Sequence, residues 1–192
     1  TLDTIIWLAE AGRKEEVVMM VTTLSDFFRT TLSKGRDYIS VKEEEAHIRS
    51  YLQIQQFRYR DILEYTIEIP EELYDYPILK LTLQPLVENA LYHGIKNKRG
   101  LGHIHVTGCR DGDVLRFTVQ DNGRGMTAEE LTKVRKGLES EEKADASELS
   151  GFGLQNVAKR MRLNYGPEYG IVIKSTFGEG TEMTVTIPAV KK

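Results

Sequence analysis

Apolar residues recur at steps of three and four along some stretches of this chain and alternate with polar ones along others. Residues 2–11 (LDTIIWLAEA) carry apolar positions at helical intervals, and Gly12 breaks the run. From Glu15 to Leu32 a second helix is expected, because Val18, Val21, Leu24, Phe28 and Leu32 fall on one face; Gly35 and Asp37 follow as a stop. Two helices joined by a tight turn predict a helical hairpin, and short helices need a partner surface to persist in water.

Beyond the hairpin the periods mix. Tyr38–Val41 reads as a short strand, and Ser40 caps a helix from about Lys42 to Tyr59, with Glu43 completing a capping box. Leu63–Ile69 alternates as a strand that Pro70 ends. Pro77 is expected to open the next helix, whose apolar side is Leu79, Leu83, Leu86, Val87 and Ala90. Strands His103–Cys109 and Val114–Gln120 flank an Asp111-Gly112 turn, Thr127–Lys136 and Leu154–Tyr165 read as helices, and Ile171–Thr176 and Glu182–Ile187 read as closing strands. Between residues 138 and 150 five acids face one base, which predicts a mobile loop within a lid spanning 127–150. Helices interspersed with hairpins, without regular βαβ alternation, predict an α+β two-layer sandwich with one mixed sheet and helices on one face. The expected division is a hairpin at 1–35, standing apart, and a sheet domain at 36–192.

Composition narrows the setting. A net charge of -3 argues against a general nucleic-acid surface. Cys109 is the only cysteine, so no disulfide forms within the chain and a reducing compartment is favoured. No apolar run approaches the roughly 20 residues that span a bilayer. Thr1 is not a natural first residue, and the chain is expected to begin inside a longer protein.

Three glycine clusters are candidates for ligand chemistry: Asp121-Asn122-Gly123-Arg124-Gly125-Met126, Gly151-Phe152-Gly153-Leu154 and Gly178-Glu179-Gly180-Thr181. Each is compatible with an ordinary loop. Each equally suits close approach of a ligand to backbone, and the second sits directly before a helix, where free N–H groups favour phosphate. In a fourth stretch, Pro85–Gly94, Asn89 and His93 lie four apart on one side of a helix. The Asn89 amide oxygen suits Mg²⁺, although a solvated helix edge fits the pattern as well. His103 and His105 share one face of a strand, with no third or fourth ligand evident for zinc.

ENALYHG, DNGRGM, GFGLQNV and GEGT occur in that order, and together they resemble the N, G1, G2 and G3 boxes of the histidine kinase branch of the gyrase–Hsp90–kinase ATP-binding superfamily, across residues 77–188. LQPLVENALYHGI, GFGLQNVAKRMRLNYG and YLQIQQFRY are similar to the LytS/YesM-type membrane sensor kinases of bacteria, which extends the resemblance to almost the whole chain. It implies a Bergerat-type ATP-binding fold with ATP and Mg²⁺ as cofactors. Asn89 would coordinate Mg²⁺, Asp121 would accept from the adenine amino group, and Gly123 and Gly125 would allow the turn under the base. Gly151, Gly153 and Leu154 would form the lid hinge and meet the phosphates, Thr181 would lie near the adenine, and His93 would face the phosphates. Glu88 is the candidate for polarising a nucleophile or fixing the metal shell.

Two departures from the pattern stand out. Tyr92 replaces a frequent Lys, for which Arg124 or Lys159 would have to compensate. Pro85 occupies the position where ATP-hydrolysing relatives carry Glu, which disfavours hydrolysis as the main activity. The resemblance further implies transfer of the γ-phosphoryl of ATP to a histidine just upstream of Thr1 and onward to a response regulator. A homodimer in the full-length protein, membrane attachment through an upstream segment and a cytoplasmic location for this domain follow from the same resemblance. An anti-sigma-type serine/threonine kinase and a non-enzymatic nucleotide-sensing module are the alternatives.

Overall fold

The computed structural model describes residues 2–32, 35–139 and 152–191. Helices α1 (Leu2–Glu10) and α2 (Lys14–Leu32) form the expected hairpin, turning at Gly12, whose φ of 70° needs the glycine. Strand β1 (Tyr38–Ser40) leads into α3 (Val41–Arg58) through a complete capping box: the Ser40 hydroxyl accepts from the Glu43 amide, and the Glu43 carboxylate accepts from the Ser40 amide. Strand β2 (Leu63–Glu68) follows.

The next segment departs from expectation. Pro77–Leu79 is strand β3, paired antiparallel with β1, and helix α4 begins only at Gln84 and runs to Asn89. Proline tolerates an edge strand as well as a helix start, so periodicity alone could not choose. The choice is made at long range. Leu81 is held at a φ of 58°, and the buried Glu44 carboxylate accepts from the Leu81 and Leu83 amides at 2.9 and 2.7 Å. Past Asn89 the helix widens into a π turn over Ala90–Gly94, where the Ile95 amide bonds back to Ala90.

Strands β4 (Gly102–Asp111) and β5 (Val114–Asp121) meet at the Asp111-Gly112 turn. Helices α5 (Ala128–Glu139) and α6 (Phe152–Tyr165) and strands β6 (Gly170–Thr176) and β7 (Gly180–Pro188) complete the fold. The main sheet has the order β2-β4-β5-β7-β6, with β2 parallel to β4 and every other pair antiparallel. One face carries Ile104, Val106, Phe117, Val119, Met183 and Val185, all fully buried, beneath Leu86, Leu91, Leu154 and Met161 of the helices. The other face is polar. This is the mixed, two-layer α+β sandwich the sequence predicts.

The hairpin does not stand apart. Helix α2 lies on α3, with the Phe27 ring stacked on the His47 imidazole at 4.8 Å. The residues turned toward the body are Met20, Thr23 and Phe27, while the face drawn from the apolar period is the outer one: Val18, Val21, Phe28 and Leu32 are exposed, as are Leu2, Ile6 and Trp7 of α1. Among the described residues no helix is long and apolar enough to cross a membrane.

Candidate functional site

The C-terminal end of β5 delivers Asp121 into the interior, 3% exposed. Its Oδ1 accepts from the Gly123 amide at 2.8 Å, while Oδ2 is buried without a hydrogen bond. The Thr181 amide, opposite Asp121 in the β5–β7 register, acts on the carboxyl without completing a bond to Oδ2. Burial pushes the Asp121 carboxyl up to about 6, and the Gly123 and Thr181 amides and the Lys98 charge pull it only part of the way back. A carboxylate oxygen held dry and unpaired is an acceptor waiting for a donor, because the desolvation cost is already incurred and one bond recovers it.

Three glycines wall this carboxylate. A Cβ on Gly94 would overlap the Asp121 carboxyl, one on Gly123 would overlap the Gly94 backbone, and one on Gly180, at a φ of 126°, would overlap the Asp121 carbonyl. Gly123 is therefore required by close approach, whereas Gly125, with a φ of 68° and Thr176 against it, is required by backbone conformation as well. The turn between them is pinned from both sides. Asn122 accepts from the His103 amide at 2.8 Å and from the Lys98 ammonium at 2.7 Å, and Ser175 Oγ accepts from the Met126 amide at 2.9 Å while contacting Thr181 Oγ1 at 2.9 Å. The result is one buried acceptor closely packed among glycine backbone, chemistry that suits an exocyclic amine donor.

The π turn links this slot to the polar residues of α4. Asn89 and Gly94 stand at the two ends of it, so the glycine against Asp121 and the half-buried Asn89 belong to one continuous piece of helix. Glu88, next to Asn89, accepts from Gln84 at 2.8 Å. His93 is largely exposed, and partial desolvation together with the Arg124 guanidinium holds its pKa below the ordinary imidazole value. Gly153, in the first turn of α6, faces Pro85, one turn of α4 before Asn89 and so about 6 Å from it along the axis. The Leu154 side chain lies in the core, so only its backbone N–H, one of the free amides at a helix start, is available to a ligand. Gly151 lies outside the described residues, as does 140–150 of the expected lid; the described part, 127–139, is mostly α5.

Of the cations proposed to replace the missing Lys at position 92, Arg124 is engaged: it pairs with Glu130 at 2.7 Å and lies 5.5 Å from the centre of the exposed Phe177 ring. Lys96, which the sequence pattern did not single out, stands 4.7 Å from the centre of the Tyr92 ring. Gly94 and Gly180 lie within stretches the sequence points to, but the sequence assigns neither of them a role. Gly94 has an ordinary negative φ, so its only signal is three-dimensional.

Residues 74–191 match the family described as histidine kinase-, DNA gyrase B- and HSP90-like ATPase, and residues 1–63 match the family described as histidine kinase. The sensor histidine kinase YesM of Bacillus subtilis (strain 168) is 32% identical over 188 residues, which is 98% of this chain and 30% of YesM. The sensor histidine kinase BtsS of Escherichia coli (strain K12) is 30% identical over 174 residues, 91% of this chain and 28% of BtsS. The sensor protein LytS of Streptococcus mutans is 33% identical over 171 residues, 88% of this chain and 28% of LytS. The chain thus spans less than a third of the length of these relatives. Among solved structures, the catalytic domain of histidine kinase ThkA superposes with a TM-score of 0.57 at 13% identity, covering 81% of this chain and 97% of that one. The blue-light activated histidine kinase of Erythrobacter litoralis superposes with a TM-score of 0.56 at 17% identity, covering 93% and 50%. At these identities the likeness is one of fold.

Proposed function

The chain belongs to the histidine kinase-, DNA gyrase B- and HSP90-like ATPase family, and on that premise we propose that it is the ATP-binding catalytic part of a sensor histidine kinase that phosphorylates a histidine and passes the phosphoryl group to a response regulator. In this reading residues 1–35 belong to the helical hairpin of the phosphotransfer region and 36–192 to the nucleotide-binding unit. The observation that carries the proposal is the buried, half-unpaired Asp121 carboxylate in its glycine slot. The match of residues 1–63 to a histidine kinase family favours this over the serine/threonine alternative.

Each group then has a task. Ionised Asp121 offers acceptors only, so it accepts from an adenine amino group and repels the guanine carbonyl. Gly94, Gly123 and Gly180 let the base approach the backbone. Asn89 offers an amide oxygen to Mg²⁺, a hard ligand for a hard cation. The free amides of the first turn of α6, Gly153 and Leu154 among them, face phosphate. His93 and Lys96 line the same edge, Lys96 supplying the positive charge that Tyr92 does not. Bound Mg·ATP supplies the transferable phosphoryl group and the cation that neutralises it, and catalysis is mainly positioning. The exposed stripe of Val18, Val21, Phe28 and Leu32 is the surface a second copy would cover in a homodimer.

Calorimetry tests the central assignment. Mg·ATP should bind and Mg·GTP should not, and Asp121→Ala should cost about 1–3 kcal/mol of ATP affinity. Equal binding of the two nucleotides would sink the reading.

A further inference from the structure

Four side chains form an unbroken hydrogen-bonded chain from the hairpin to the candidate nucleotide site. Thr30 Oγ1 on α2 lies 2.8 Å from His47 Nδ1 on α3, His47 Nε2 lies 2.5 Å from Gln84 Oε1 on α4, and Gln84 Nε2 lies 2.8 Å from Glu88 Oε1. His47 is 1% exposed and sandwiched under the Phe27 ring. Toward the C-terminal side it is followed by buried, mainly apolar side chains, Ile48, Tyr51 and Leu52.

The chain has a fixed direction. The Gln84 amide turns its NH₂ group toward the Glu88 carboxyl and its oxygen toward His47. The imidazole is then required to carry hydrogen on Nε2. Burial holds the His47 pKa below the ordinary value, although Gln84 and the Glu88 charge oppose this, so the ring is neutral at pH 7 and has one N–H only. Nδ1 is left as an acceptor, and the group that meets it is the Thr30 hydroxyl. That hydroxyl also lies 2.9 Å from the Phe27 carbonyl and 3.1 Å from the Asp26 carbonyl, contacts within its own helix to which it no longer donates when it donates to His47. The groups facing the imidazole are therefore Phe27 and Thr30 from α2 and Gln84 and Glu88 from α4.

We propose that His47 is a positioning residue for the nucleotide site: it holds Gln84, and through it Glu88 beside Asn89, in an arrangement that is complete only while α2 is seated on α3. The inference rests on the reading of Asn89 as the Mg²⁺-side residue of that site. Moving the hairpin withdraws the Thr30 hydroxyl and leaves Nδ1 as a buried unpaired acceptor, which is costly. The ring then does better by turning, and turning releases Gln84. Coupling of this kind runs both ways, so nucleotide bound with its metal must tighten the seating of α2 by the same factor.

Thr30→Val removes the hydroxyl at nearly constant shape on a helix outside the sheet, and Thr30→Ser restores it. Each variant is titrated with Mg·ATP and with adenosine, which reads the Asp121 slot alone, and its thermal unfolding is recorded. Thr30→Val should weaken Mg·ATP about five- to tenfold, leave adenosine unchanged, and be rescued by Thr30→Ser. His47→Phe, which keeps the stack on Phe27, should reproduce the loss. Ring nitrogen NMR should find the Nε2–H tautomer of His47, and Mg·ATP should slow amide exchange in α2 in the wild type but not in Thr30→Val. Equal losses for adenosine and Mg·ATP, or no loss for either, would overturn the relay. Asn89→Ala separates the two failures. If it weakens Mg·ATP while Thr30→Val does not, the relay alone is wrong; if it too is silent, the site reading and the relay fall together.

Discussion

At the scale of single residues, Asp121 carries the strongest expectation. Its carboxyl titrates near 6 because it is buried, well above the ordinary value of 3.8. The folded chain therefore holds this proton more tightly than the unfolded one, and the group's contribution to stability falls as pH rises from about 3.8 to about 6. Binding runs in the opposite sense, since only the ionised form can accept from an amino donor at both oxygens. Adenosine affinity should rise as pH increases through 6 and level off above it, and Asp121→Asn should flatten the profile; calorimetry across that range checks both. Gly94→Ala should abolish adenosine binding because the added methyl meets Asp121 itself. Much of this was legible in the sequence, since Asp121, Gly123 and Gly125 sit in one motif. Gly94 as a wall was not legible, because its neighbour is 27 positions away (94 to 121) and its own backbone is unexceptional.

At the scale of elements, local chemistry was readable and long-range chemistry was not. Ser40 and Glu43 are three apart, their capping box is self-contained, and the start of α3 follows from them. The start of α4 depends on Glu44, whose partners Leu81 and Leu83 are 37 and 39 positions on, so the Pro77 signal led to the wrong boundary. Glu44→Ala should leave those two amides buried and unpaired and cost roughly 2–4 kcal/mol of stability, measured by urea unfolding. Burial raises the Glu44 pKa from 4.5 to about 7, so stability should decline as pH rises between those values, and Glu44→Gln should remove that slope. The π turn was equally invisible, since no residue type in Ala90–Gly94 demands it; it ends at Gly94, which packs against Asp121. For α2 the apolar period marks a helix, but the face that meets the body is not legible from it, because Thr23 and Thr30, which face the body, look polar in sequence yet place their hydroxyls against backbone carbonyls and His47.

At the scale of the whole molecule, the outer stripe of the hairpin predicts self-association. Sedimentation should show a weak, concentration-dependent dimer, and Val21→Glu with Phe28→Glu should make it a monomer, because both side chains are about half exposed in the single chain. Incubated with γ-labelled ATP, this chain should acquire no acid-labile phosphate. His47 is buried with both ring nitrogens bonded, His93 belongs to the proposed nucleotide edge, and His103 and His105 point from the polar face of the sheet. Robust labelling would show that an acceptor has been misplaced. The glycine walls around Asp121 bear on how such a protein could be inhibited. A compound that fills the slot and donates to Asp121 touches backbone on three sides, and backbone cannot be exchanged. Adding a side chain at Gly94, Gly123 or Gly180 to exclude it would collide with Asp121 or its immediate support, so on the proposed reading an escape variant at these positions would lose nucleotide along with the drug. Resistance would have to arise at side chains that do not meet the carboxylate.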